Sequence, residues 1–382
     1  MVQLSRHRWR VTAVAASLIA GLAALPPASA SAHQEHAGLA EPKVIATGLD
    51  NPRHLSWSDG ALYVAESGVG GSGPCIAAAE GEACYGASGA ITRIKDGRQA
   101  RVVSGLPSIA GEGGAGASGP ADVRVDGRRY SVVLGLGADP GKRASLPAAG
   151  QKLGTLSKGR FGRSGLRVVA DVGAYEASAN PDGKQIDTNP TSLLRSGRKN
   201  LIVDAGGNSL LSQSRYRGLR TRAVFPTVNV PSPDPTAPAG TTIPMDAVPT
   251  AAAYGPDGAV YVSQLTGFPF PVGGASIWRV VPGEAPTKYA TGLTNVTDLA
   301  FGRNGALYAV QIADKSLLAG PTATGSVVRI PAGGGSTHES VVSGLKSPYG
   351  IALGRGYAYV TTCAMCADEG EVLRVPLRSP SR

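Results

Sequence analysis

A short unit returns six times along this chain, and no other feature of the sequence restricts the fold as much. Each copy opens on an Asn-Pro or Gly-Pro pair or a close relative of it. An apolar stretch follows, then a turn on glycine and a strand of the Leu-Tyr-Val kind. The copies occupy residues 51–64, 119–133, 189–203, 248–262, 295–310 and 347–360. The repeat runs from residue 43 to the end, so the 382 residues form one repeat domain rather than the two that length alone suggests. A content of 53 Gly and 28 Pro with 5% aromatic residues fits many short strands joined by turns.

Each copy resolves into four strands, a to d. In strand a, Leu55 and Trp57, Val123 and Val125, Leu299 and Phe301, and Ile351 and Leu353 alternate with smaller residues, the period of two that a strand requires. Turns such as Ser-Asp-Gly (58–60), Gly-Pro-Asp-Gly (255–258) and Gly-Arg-Asn-Gly (302–305) lead into strand b. Strand c repeats a Gly-x-Ile/Val-x-Arg-Ile/Val pattern at 89–94, 325–330 and 370–375, with Ala leading the copy at 275–280 and weaker copies near 154–156 and 209–212. Strand d follows at 101–104, 167–170, 222–225, 287–290 and 339–343. That leaves one outer strand missing, and residues 43–49 supply it, having the same form as 101–106 and 339–345. The sequence therefore predicts an all-β, six-bladed propeller of four-stranded antiparallel blades, its last blade closed by the N-terminal strand.

The first residues stand apart. Arg6, Arg8 and Arg10 form a basic start, residues 11–25 an apolar core, and Ala28-Ser29-Ala30 and Ala30-Ser31-Ala32 two overlapping small-residue cleavage sites. This reads as a signal peptide over 1–30, cleaved after 30 or 32, with a leader remnant over 31–42 and the propeller over 43–382. The apolar core is short for a membrane span. The expected product is a secreted protein (periplasmic where an outer membrane exists), a monomer without membrane insertion after cleavage. The net charge is +10, but Lys and Arg are spread over turns such as 95–98 and 128–129, with no aromatic-interleaved stripe, and this sets nucleic acid aside as a partner.

In this topology the b–c and d–a connections share one face, and the long insertions fall there, at 69–88, 109–119, 135–152, 175–188, 231–247 and 267–274. Long loops on one side of a rigid scaffold are where function usually sits. The position after strand b carries Glu66, Asp204, Gln264, Gln311 and Thr362, and Asn51, Asn189 and Asn295 precede strand a. His54, Asp122 and Asp298 stand two places after the proline position. Oxygen ligands converging at a propeller mouth suit Ca²⁺ or Mg²⁺, with Glu66, Asp122, Asp204 and Asn208 as the candidate set. The same residue types also cap turns and bond backbone, and the sequence leaves both roles open.

Cys75, Cys84, Cys363 and Cys366 lie in b–c loops of the first and last blades, and disulfides are expected in an exported chain. Local pairs 75–84 and 363–366 are the expected pairing, with cross-blade pairing as the alternative. A four-Cys zinc site and a redox Cys-x-x-Cys both lack the context they need. Apart from His7 in the signal peptide the histidines are His33, His36, His54 and His338, too dispersed for a three-imidazole zinc site. His54 is the one placed to act as a base, and a Ser31-Ala32-His33 start could chelate Cu²⁺.

Several segments resemble the ScyD/ScyE family of exported propellers. They are residues 80–91, 135–140, 174–183 and 204–208, the Thr-Gly-Phe-Pro-Phe-Pro-Val-Gly run within 264–273, and Cys-Ala-Met-Cys at 363–366. The resemblance implies a secreted propeller and leaves its molecular activity open. In that family acidic residues are common where Gln264 and Gln311 stand here, which weakens a metal site built on those positions.

Three functions follow. The first is binding of a small molecule, glycan or protein on the loop-rich face, with Phe268 and Phe270 between prolines as a stiff platform and Asn51, Asn189 and Asn295 at the rim. The alternative is a divalent-metal-dependent hydrolase of the gluconolactonase-like kind, using Glu66, Asp204 and Asn208 with Asp122. The third is a quinone-dependent sugar dehydrogenase, for which Arg53 and His54 are the neighbouring pair. The sequence does not decide whether the chain is an enzyme.

Overall fold

The protein is described by a computed structural model over residues 41–377. The expected signal peptide, His33 and His36 lie outside those residues. Strand β1 (Lys43–Leu49) is followed by blade 1, made of β2 (Pro52–Ser58), β3 (Ala61–Glu66), β4 (Cys75–Ala78), β5 (Gly81–Lys95) and β6 (Arg98–Ala110). Blade 2 holds β7 (Pro120–Asp126), β8 (Arg129–Leu134), β9 (Thr155–Arg160) and β10 (Arg167–Asp171), and the helix α1 (Val172–Ala179) comes next. Blade 3 is β11 (Pro190–Ser196), β12 (Lys199–Asp204), β13 (Ser209–Ser214) and β14 (Gly218–Val224), trailed by a hairpin of β15 (Val228–Pro231) and β16 (Thr242–Met245). Blade 4 is β17 (Pro249–Tyr254), β18 (Val260–Gln264), β19 (Ala275–Val280) and β20 (Thr287–Leu293). Blade 5 is β21 (Val296–Phe301), β22 (Leu307–Gln311), β23 (Thr324–Ile330) and β24 (Glu339–Lys346). Blade 6 contributes β25 (Ile351–Gly354), β26 (Tyr357–Thr362) and β27 (Gly370–Pro376).

The expected closure is present: β1 pairs antiparallel with β27, Lys43 opposite Arg374 and Leu49 opposite Gly370. The result is a six-bladed propeller of antiparallel sheets. Two insertions expected as loops contain strands: β4 pairs with the start of β5 beyond the blade, and β15 pairs with β16. The insertion over 175–188 begins inside α1.

Six slabs of the apolar core lie one at each blade interface, and a seventh cluster, around Ile312, Ala323 and Tyr349, lies on the loops of blades 5 and 6. Tyr63 and Ile91 meet Val123 and Val132, whereas Leu62 and Val64, one residue out of phase with Tyr63, meet Ala46, Tyr359 and Val372 across the closing seam. Strand b is buried on both faces, which is why it reads as a continuous apolar run. The inner strands are also laced by hydroxyls. Ser56 donates to the Val123 carbonyl (2.7 Å), Thr191 to Thr250 (2.8 Å), Thr250 to Val296 (2.8 Å), Thr297 to Tyr349 (2.7 Å), and Thr361 to Arg53 across the seam (2.9 Å). Each such bond contributes about 1 kcal/mol, and together they hold the central wall in fixed register.

The glycine that leads strand c has a packing cause. A Cβ on Gly89 would lie 2.6 Å from Cδ of Pro120, and one on Gly370 would lie 2.5 Å from Cδ of Pro52. The glycine of one blade thus seats the proline that opens the next. The fifth copy opens on Val296 instead of proline, and there the preceding strand c begins with Ala275.

Candidate functional site

The loop-rich face surrounds a central cavity of about 150 Å³, lined by the residue one place after the proline position in every blade: Arg53, Ala121, Thr191, Thr250, Thr297 and Tyr349. At roughly 30 Å³ per water, that is space for a few waters or one small functional group. The walls are unequal. Leu265, Ile312, Leu317 and Met365 from blades 4 to 6 are apolar, whereas Arg53, Glu80 and Tyr349 form the polar side. The Arg53 guanidinium lies 4.8 Å from the Tyr349 ring centre and donates to Ser67 Oγ (3.1 Å) and the Ala117 carbonyl (2.7 Å). Larger hollows exist on the flanks. One of about 550 Å³ runs along β1 and another of about 480 Å³ is walled by Arg124, Arg129, Lys158, Arg160, Arg167 and Arg195. We place the candidate site at the mouth because only there do all six blades contribute. The second hollow shows that cations spread along the sequence are gathered by the fold.

The apolar wall continues outward. Phe268 is 53% exposed and Leu318 56%, and Val272 and Met365 are also exposed, all on the b–c connections of blades 4, 5 and 6. Phe270 is half-buried, its ring 6.4 Å from that of Phe268 and edge-to-face with it.

His54 does not line this cavity. It is 2% exposed, packs edge-to-face on Tyr349, and its Nδ1 lies 2.9 Å from Oδ2 of Asp298. Burial pulls the His54 pKa down, but the charge and hydrogen bond of Asp298, helped by Asp122, outweigh it and leave the pKa raised above 6.5. Asp298 also accepts from the backbone of Leu299 (2.7 Å) and Ile351 (2.8 Å). Asp122 pairs with Arg124 (2.9 Å) and accepts from Leu193 N (2.8 Å). This buried group braces the propeller axis.

Several residues with ligand chemistry in the sequence serve as fasteners in the structure. The side chain closing strand b accepts the backbone N–H that leads into strand a: Glu66 from Asp50 (2.9 Å), Asp204 from Asn189 (2.7 Å) and Gln311 from Thr294 (2.7 Å). Glu66 is further held by Arg101 (2.7 Å) and Thr92 (2.5 Å). Asn51 and Asn295 have φ near 48° and 45°, a left-handed backbone that Asn tolerates. Their amides donate to the Gly68 carbonyl (2.8 Å) and the Leu265 carbonyl (2.9 Å). Asn189 accepts from Leu136 N (3.2 Å), and Asn208 accepts from Val248 N (2.9 Å) while donating to Asp182 (2.9 Å). Glu66 and Asp122 thus sit in separate ion-paired groups, and Asp204 and Asn208 share a third neighbourhood in blade 3. The mouth offers a single carboxylate, Glu80, with the Arg53 guanidinium, the Asn189 amide, hydroxyls and apolar side chains around it, which does not fit a metal, so no step is routed through one there. The cysteines pair locally, Cys75 with Cys84 and Cys363 with Cys366.

Two carboxylates that sequence reasoning passed over stand beside Asp204. Asp171 caps α1 by accepting from Ala174 N (2.9 Å), and the Tyr175 hydroxyl ties the helix to Thr221 of β14 (2.9 Å). Glu176, the next residue, is thereby turned inward and is 1% exposed. Its Oε1 has no partner among the described residues. Burial, then the charges of Asp204, Asp182 and Asp187, push its pKa up to about 8. Burial and the neighbouring Asp204 carry Asp187 up to about 6, and burial carries Asp204 to about 6 against its hydrogen bonds. Reading the repeat one residue after the proline would have found the mouth ring. Nothing in the spacing of Glu176, Asp187 and Asp204 signals their meeting, which depends on α1.

No family model matches the chain, and no curated protein matches it. Among solved structures, an oxidoreductase (glucose dehydrogenase) from Thermus thermophilus is 15% identical, with TM-score 0.51 over 88% of this chain and 100% of that one. A gluconolactonase from Xanthomonas campestris is 10% identical, with TM-score 0.50 over 88% of this chain and 91% of that one. Virginiamycin B lyase from Staphylococcus aureus is 11% identical, with TM-score 0.46 over 88% and 99%. What the first two likenesses establish for the chain is the propeller fold.

Proposed function

We propose that the protein is a secreted binding propeller whose mouth takes a small amphipathic molecule, polar end toward Arg53 and Tyr349 and apolar body over the loops of blades 4 to 6. The observation that carries this reading is the two-sided mouth, with its apolar wall continuing into exposed Phe268, Leu318 and Met365. Apolar contact supplies most of the affinity at such sites, and a few placed polar groups supply orientation. Anilinonaphthalene sulfonate, an anionic aromatic dye, tests it. The wild-type protein should enhance its fluorescence, and both a Phe268→Ala/Leu318→Ala variant and Arg53→Gln should weaken that enhancement. Equal enhancement by all three proteins would remove the mouth as the site.

A second reading, a divalent-metal-dependent hydrolase of the gluconolactonase-like kind, has one supporting observation. The carboxylates of Glu176, Asp187 and Asp204 lie next to Asn189 and Ala205, which line the mouth. Lactone hydrolysis that appears with Ca²⁺ or Mg²⁺ and vanishes with chelator would support it; equal rates in both conditions count against it.

A further inference from the structure

Glu176 is a buried acid with no visible reason to be there. A buried carboxylate is normally hydrogen-bonded or ion-paired, because leaving water without compensation is costly. Glu176 accepts no hydrogen bond among the described residues, and its neighbours are acids: Asp182, Asp187 and Asp204. The nearby cations are committed elsewhere, Lys184 to Asp246 and Arg143 to Asp171. Asp187, half-buried, likewise accepts no hydrogen bond among the described residues, whereas both oxygens of Asp182 are taken, by Lys184 N (3.0 Å) and Asn208 Nδ2 (2.9 Å).

The second observation is that Glu176 and Asp204 border the same point beside a glycine. A Cβ on Gly207 would fall 2.6 Å from Oε2 of Glu176 and 3.3 Å from Oδ2 of Asp204. Any side chain there would displace the Glu176 carboxylate from this point and crowd Asp204. Asp204 is held in place by Thr188 Oγ1 (2.7 Å) and Asn189 N (2.7 Å), so one side of this point is rigid. The other side, α1 and the chain after it, carries Glu176 and Asp187.

We propose that Glu176, Asp187 and Asp204 bind a calcium ion that fastens the segment from α1 to Asp187 onto the end of β12. The donors are all oxygen, the preference of a hard cation, and Ca²⁺ accepts irregular geometry with waters completing its shell. Mg²⁺, which demands a near-octahedral shell and gives up water reluctantly, should bind more weakly. Without a cation the three acids repel one another, and they do not approach within 4.8 Å as a group; binding draws them together. The site adjoins the mouth through Asn189 and Ala205 and is the carboxylate set of the hydrolase reading, on which the proposal rests for its place only: calcium binding without lactone hydrolysis would keep the proposal and remove that reading.

Calorimetric titration of CaCl₂ into chelator-treated protein, paired with thermal unfolding, tests the proposal. One calcium should bind per chain and raise the Tm. Glu176→Gln and Asp187→Asn should each weaken binding by on the order of tenfold or more, since even residues behind a metal shell matter on that scale. Both variants should fold, because neither side chain accepts a hydrogen bond in the fold. Phe268→Ala/Leu318→Ala should bind calcium normally, which keeps this test apart from that of the mouth. The proposal is overturned if millimolar calcium gives neither heat nor a Tm shift, or if both acid variants bind calcium as the wild type does. It is also overturned if Glu176→Gln is more stable while calcium leaves the wild type unmoved, the result for a glutamate that is simply protonated.

Discussion

Replacing Asp298 by Asn tests whether the axial ion pair braces the propeller. His54 is 2% exposed, and among the described residues Asp298 is its partner, 2.9 Å away. Removing one member of a buried pair costs about 3–5 kcal/mol, because the remaining charge is left uncompensated. An Asn oxygen can still accept from the Leu299 or Ile351 N–H, but its amide cannot satisfy both as a carboxylate does, and an orphaned backbone donor costs about 1–3 kcal/mol. The two costs differ in pH dependence. The folded-state pKa of His54 is raised, so its contribution is fully present below the unfolded value of 6.5 and is lost as pH rises through the folded value. The stability gap between wild type and Asp298→Asn should therefore be widest at acid pH. It should narrow on the alkaline side, where His54 is neutral in both proteins, toward the smaller backbone cost. Comparing the two proteins at each pH cancels the raised acids Glu176, Asp187 and Asp204, whose contributions also fall as pH rises. Urea unfolding at several pH values between about 5 and 8 measures the gap. A gap that is constant over that range, or that widens with pH, would falsify the ion-pair account.

Two further outcomes are expected. Gly89→Ala should destabilise by about 1–3 kcal/mol in thermal unfolding, since its Cβ would meet the rigid ring of Pro120, and adding Pro120→Val should restore part of the loss, as Val296 sits behind Ala275; a double variant no more stable than Gly89→Ala would refute the pairing. Replacing Cys363 and Cys366 by Ala should cost about 2 kcal/mol for a crosslink spanning three positions, and the same change at Cys75 and Cys84, nine apart, about 3 kcal/mol, so denaturation midpoints unaffected by either pair would contradict the crosslinks.

The architecture was legible because each blade writes its own period. Leu62, Val64 and their equivalents recur between glycine turns, and counting outer strands left residues 43–49 as the one solution to closure. The site was harder to read because the repeat uses polar residues for its own maintenance. Asn51 and Asn295 tolerate a left-handed backbone and use their amides to hold neighbouring loop carbonyls, and Glu66, Asp204 and Gln311 are polar because a backbone N–H must be received at that corner. Oxygen-rich positions thus looked like ligands. Glu176 escaped notice for the opposite reason: within Ala-Tyr-Glu-Ala it resembles any surface residue of a short helix, and only the docking of α1, tied to Thr221 by Tyr175 and set against Gly207, buries it.

The closing seam also has a mechanical meaning. Lys43, where the described chain enters the ring, is paired with Arg374, close to where it leaves. A load applied between the two ends would therefore fall on that pair first, then on Val44 and Leu373, then on Ala46 and Val372, peeling β1 away one contact at a time. The register that seals the ring in solution is a zipper under tension. Every other blade, its strands continuous in sequence, would feel that tension only after the seam had parted.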